Sequence, residues 1–183
     1  MTATESKTTA STYSIDPLHA HAQFKVRHLM IAWVRGEFQN VSGTVTFDPA
    51  NLGASSIVAK IDASTIQTGV ADRDAHLKSA DFLEVEKFPT IDFRSTAITA
   101  KGDGYEAQGE LTIHGISKPV TLAIEDLSEE TKDPWGNTKR GATATTKINR
   151  KDFGLTWNAA LETGGVVVGE EVHITIELEL TKS

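Results

Sequence analysis

The chain has 183 residues, 39 % hydrophobic and 23 % charged, which suits one domain with a real core and excludes general disorder. Its formal net charge of −7 repels phosphate backbones and anionic lipid surfaces on average, and its basic residues run no longer than pairs such as Lys139-Arg140, so nucleic acid is not an expected partner. The absence of cysteine excludes disulfides, thiolate nucleophiles and thiolate metal sites, and no window approaches the roughly eighteen apolar residues of a membrane span.

In chain order, residues 1–12 read MTATESKTTAST and are predicted to be a disordered tail, with one domain over 13–183. The tail holds no apolar stretch that could serve as the core of a secretory signal, so for a chain that starts here the expected compartment is the cytoplasm. Beyond it the pattern has period two, the mark of strands with one covered face. Ala20 to His28 places Ala22, Phe24 and Val26 on one face, with His28 continuing inward, and Ser42 to Asp48 does the same with Gly43, Val45 and Phe47. Alternation recurs at Ile57-Ala59-Ile61, then breaks at Ala71–Phe82, ADRDAHLKSADF. This segment lacks β-branched residues and is predicted to be a short helix carrying Arg73, His76 and Ala80 on one face. Strands resume at Ile91-Phe93, Leu111-Ile113, Val120-Leu122-Ile124 and Ala142 to Ile148. The last, Glu171 to Thr181, alternates without error through Val172, Ile174, Ile176, Leu178 and Leu180. Turn residues separate these runs, among them Asp48-Pro49, Lys101-Gly102-Asp103-Gly104, His114-Gly115 and Asp133-Pro134-Trp135-Gly136-Asn137.

About eight short strands joined by turns predict an all-β antiparallel sandwich or barrel. Closure into a barrel is favoured because it leaves no long unpaired edge. A barrel of this size is either filled by its own side chains or holds one slender ligand. Small inward residues at Ala22, Gly43, Ala59, Gly109, Ala142 and Ala144 leave space on the axis, or else mark tight packing at strand crossings.

Several strings resemble one family, the YceI-like proteins. They are Ile15-Asp16 with His19, Phe24-x-Val26-x-His28, Gly36-x-Phe38, Asp72 to Phe82 (DRDAHLKSADF), Phe88-Pro89, Leu111 to Val120 (LTIHGISKPV) and Asp152-Phe153-Gly154. The resemblance covers Tyr13 to about Leu180. It implies a lipocalin-like barrel with a helix beside it, a long polyisoprenoid threaded into the interior, and pairing into a homodimer. Many proteins of the family carry a secretory signal, a point where this chain departs from the pattern.

On that reading Phe24, Val26, Trp33, Phe38, Phe93, Ile113, Phe153 and Trp157 are predicted to line an apolar tube, with Phe82, at the end of the helical segment, as a further ligand contact. Plain core is the competing role for each of them. Arg73, Asp74 and His76 are placed where they could meet a ligand head group at the barrel mouth, or, alternatively, where an Arg–Asp pair pins the helix to the wall. His28 is expected to be a buried imidazole with a partner, or a ligand contact. The six histidines show no metal-ligand spacing beyond Asp16 near His19, so no metal is expected. There is no Gly-x-Ser-x-Gly elbow and no Gly-rich phosphate loop. The leading expectation is therefore a carrier of an isoprenoid such as a quinone or prenyl phosphate, with no cofactor and no covalent chemistry. Two alternatives are an enzyme acting on a lipid-like substrate through His76 or His28, and a filled barrel whose outer face is an interaction scaffold.

Overall fold

A computed structural model of the chain describes residues 9–183. The described residues form eleven strands: β1 (Ser11–Ile15), β2 (His21–His28), β3 (Ala32–Phe38), β4 (Val41–Phe47), β5 (Ser56–Asp62), β6 (Thr90–Lys101), β7 (Gly104–Ile113), β8 (Ile116–Glu125), β9 (Thr131–Lys132), β10 (Thr138–Asn149) and β11 (Val168–Lys182). One α-helix, α1 (Ala71–Lys78), interrupts them between β5 and β6. Of the tail expected at 1–12, residues 1–8 lie outside the described residues, while Ser11 and Thr12 already belong to β1 and pair with Phe47 and Thr46.

Antiparallel neighbours run β11-β1-β4-β5-β6-β7-β8-β10, and the pairing of β10 with β11 closes them into an eight-stranded barrel. Closure removes the long edge that an open sheet of this size would present. On the edge away from β10, the fifteen residues of β11 serve two partners. Leu180–Lys182 pair with β1, and Val168–Glu177 pair with β2, so that the β2–β3 hairpin prolongs the wall beyond β1. β3 is tied to the β5–β6 connection by two backbone hydrogen bonds of 2.9 Å between Glu37 and Gln67.

Each strand obeys the alternation its sequence carries. Tyr13 and Ile15, Val41 and Val45, Ile57 and Ile61, Leu111 and Ile113, and Val172 to Leu180 face the interior. Two of the small inward residues do not leave free space. A methyl group added to Gly43 would meet the Val58 carbonyl oxygen at 2.0 Å, and one on Gly109 would meet the Phe93 ring at 2.6 Å. The glycines are seats for a neighbouring backbone and an aromatic ring, whereas Ala22, Ala59, Ala142 and Ala144 border the open interior.

The helix is shorter than its sequence pattern. It stops at Lys78 because the Ser79 hydroxyl and amide both donate to the His76 carbonyl, at 2.6 and 3.1 Å, and the chain turns away. Asp72 and Asp74 in its first turn, and His76 and Lys78 in its last, match the helix dipole.

Candidate ligand-binding cavity

The inward side chains leave a cavity of about 250 Å³. At one end its wall is built by Tyr13, Phe47, Tyr105, Leu127 and Leu178, and at the other by Val26, Ile66, Leu77, Phe82, Leu155 and Val168. Between them stand Phe38, Val45, Ile91, Phe93, Ile113 and Ile174. The exposed wall is carbon throughout. Water gains nothing in such a space, because it finds none of the two to four polar partners it needs. An apolar molecule entering it gives up hydration and gains dispersion contacts on every side.

Polar groups hold the two ends from behind. Near the first, the Tyr13 hydroxyl donates to Glu130 at 2.6 Å and Lys182 reaches the same carboxylate at 2.9 Å, which together hold the Glu130 carboxyl below its ordinary value. The Arg140 guanidinium lies over the rings of Tyr13 and Phe47, and Phe47 meets Tyr105 edge-on at 5.3 Å. Near the second end Arg150 is buried, 3 % exposed. Its fork donates to four carbonyls, those of Leu155 (2.6 Å), Trp157 (2.9 Å), Gly169 (2.8 Å) and Val168 (3.3 Å), fastening the 155–168 loop to the barrel. Burial works against its charge, and Glu170 offsets part of that cost. No sequence pattern singled out Arg150; it ends the β10 alternation Ala142-Ala144-Thr146-Ile148 as the next inward position.

Of the expected site residues, Phe24, Val26, Phe38, Phe82, Phe93 and Ile113 line the cavity. The others stand elsewhere. His28 is exposed at the end of β2, where the alternation runs past the barrel wall into the hairpin tip. Trp33 pairs across from Arg27 on the outer face, with the Arg27 and Lys25 cations over its ring at 4.0 and 4.7 Å. Arg73 is spent on Thr68, donating to its hydroxyl at 2.7 Å and its carbonyl at 2.9 Å. Asp74 accepts from the Thr68 amide and hydroxyl, so both charges secure the approach to α1 through Thr68. His76 contacts Asp81 at 2.9 Å and packs edge-on against Phe82 and Trp157, whose rings close a three-membered aromatic cluster behind the cavity. Phe153, 1 % exposed, lies in the 3-10 turn Arg150–Phe153 and fills solid core.

One group among the described residues brings metal-type ligand atoms together, Asp16, His19 and Glu179, within 4.8 Å of one another. A cation already sits among them, because the Lys139 ammonium is 3.1 Å from both carboxylates. His19 at 3.0 Å, the Leu18 amide and Lys139 draw the Asp16 pKa down to about 2.

An antiparallel eight-stranded barrel, one helix at its side and an apolar chamber within define a lipocalin-like binding barrel. The model of the YceI-like domain matches residues 13–180, and the chain belongs to that family. Protein YceI of Salmonella newport is 38 % identical over 172 residues, covering 93 % of this chain and 86 % of that protein. Two solved structures share the fold. One is BcnA of Burkholderia cenocepacia, with a TM-score of 0.77 at 23 % identity over 90 % of this chain and 98 % of that one. The other is a polyisoprenoid-binding domain from Saccharophagus degradans implicated in plant cell wall breakdown, with a TM-score of 0.64 at 14 % identity over 93 % of this chain and 98 % of that one.

Proposed function

We propose that the protein binds one long-chain isoprenoid-type lipid in its barrel and carries or stores it without covalent chemistry. The observation that carries this reading is the cavity, axial, about 250 Å³ and with an exposed wall of carbon. Burying ten methylene equivalents there is worth about 8 kcal/mol at ~0.8 per group, before ordering costs. That corresponds to about micromolar affinity at most for ten groups, with no hydrogen bond to the tail, and a longer isoprenoid that buries more of them reaches further toward nanomolar. The polar residues along the cavity, among them Gln23, Asp92, Thr146 and Arg150, show it no polar surface, so no acid, base or nucleophile faces a buried tail, which favours binding over catalysis. The polyisoprenoid named for the Saccharophagus domain fits the same reading of this barrel.

Organic extraction of the purified protein followed by mass spectrometry tests the proposal. A stoichiometric prenyl lipid is the expected result. A protein that yields none, and that also refuses added geranylgeraniol, is not an isoprenoid carrier.

A further inference from the structure

The β2–β3 hairpin ends in three consecutive apolar side chains that face solvent: Leu29 (36 % exposed), Met30 (55 %) and Ile31 (79 %). The turn is closed by the Ile31 amide donating to the His28 carbonyl at 3.2 Å, with Leu29 and Met30 at φ +53° and +59°. Such a primed turn is ordinarily built from Asn and Gly. Bulky residues are a poor choice there for backbone reasons, so their presence is not explained by the turn.

The charge around this tip differs from that of the whole chain. From His21 to Phe38 the cations are Lys25, Arg27 and Arg35 and the only acid is Glu37, a local net charge of +2 where the chain carries −7. On the adjacent strand β11, Glu170 is paired with Lys151 at 2.6 Å and Glu171 with His173 at 2.8 Å, and Glu177 stands across from His21 at the far end of β2 from the tip. Arg27 stands two residues before Leu29, about 7 Å along the strand, within a Debye length of anything the tip touches. Trp33, two residues past Ile31 and under the Arg27 and Lys25 cations, is an amphipathic ring of the kind enriched where proteins meet a lipid–water boundary.

We propose that this tip docks the protein on anionic lipid bilayers, with Leu29, Met30 and Ile31 entering the head-group layer while Lys25, Arg27 and Arg35 meet lipid phosphates. The cavity reaches the same end of the barrel, since Val26, three residues before Leu29, is part of its wall. Docking there brings the chamber to the phase that dissolves a prenyl tail. This use of the tip rests on the carrier reading; the docking itself rests on the tip. Three apolar side chains and three cations make the attachment weak and reversible, as a carrier requires.

Flotation with vesicles tests it, comparing phosphatidylcholine alone with phosphatidylcholine mixed with phosphatidylglycerol. The wild type is expected to float with the mixed vesicles and to release as salt rises. The double variant Met30→Asp/Ile31→Asp should bind them at least about tenfold more weakly, and Lys25→Gln/Arg27→Gln should lose the preference for phosphatidylglycerol. A wild type that ignores both vesicles, or a tip variant that floats like the wild type, overturns the proposal. So does a concentration-dependent dimer that Ile31→Asp disrupts in the absence of flotation, which would make a second copy the occupant of the tip. Titration with geranylgeraniol free of vesicles separates the two readings. A protein that floats but refuses the alcohol keeps the docking and loses the carrier, whereas a tip variant that takes up the alcohol normally is shown to be folded.

Discussion

At the scale of single residues, Asp16 and Arg150 carry measurable consequences. The Asp16 carboxyl is held at about 2, below its ordinary 3.8, by His19 first, then by the Leu18 amide and Lys139. A depressed carboxylate contributes stability that is fully present above pH 3.8 and lost as pH falls toward 2. Melting temperature should therefore drop in that window, and Asp16→Asn should flatten the drop while lowering stability at neutral pH. Equal pH slopes for the two proteins would contradict the assignment. Replacing Arg150 with Met leaves the carbonyls of Leu155, Trp157, Val168 and Gly169 without their donor. A cost of about 3 kcal/mol or more is expected in urea unfolding, concentrated in early opening of the 155–168 loop by hydrogen exchange. Neither residue's role was legible in the sequence. Asp16 was noted only as a neighbour of His19, and the partners of Arg150 are backbone atoms that no residue type announces.

At the scale of elements, alternation located the inward face of seven of the eight barrel strands, because one covered and one wet face leave a period-two record. It passed over β1, whose Tyr13-x-Ile15 is too short to stand out, and β3, where Trp33 and Val34 are adjacent and of like hydropathy. Missing β3 is why Trp33 was expected inside: its pairing with Arg27 fixes its face, and pairing is not written in one strand alone. His28 failed for a related reason, since alternation says which way a side chain points but not where the barrel wall ends. Within β10, Ala144 lies 4 % exposed between Ile124 and Ile176 and borders the cavity. Ala144→Trp should place an indole in that space and weaken prenyl-alcohol binding at least about tenfold, with a melting temperature that shows whether the core accepts the larger side chain. Fluorescence titration alongside thermal melting reads both quantities. Unchanged binding would move the ligand out of the barrel.

For the molecule as a whole, the sheet closes before its side chains have filled it. Residue types announced the closed sheet and the apolar interior, and family strings such as Asp72–Phe82 and Leu111–Val120 pointed to its lineage. The free volume itself was not legible, since the same alternation would describe a barrel packed solid, and two of the small residues read as space are occupied by a backbone and a ring. If the unfilled interior is what captures the ligand, affinity must grow with the apolar length buried. The most direct measurement is a dissociation-constant series with geraniol, farnesol and geranylgeraniol, which differ by one isoprene unit each. We expect each added unit to tighten binding at least about tenfold until the chamber is full, with a negative heat-capacity change that grows in step. Dissociation constants that stay flat across the series would contradict the account.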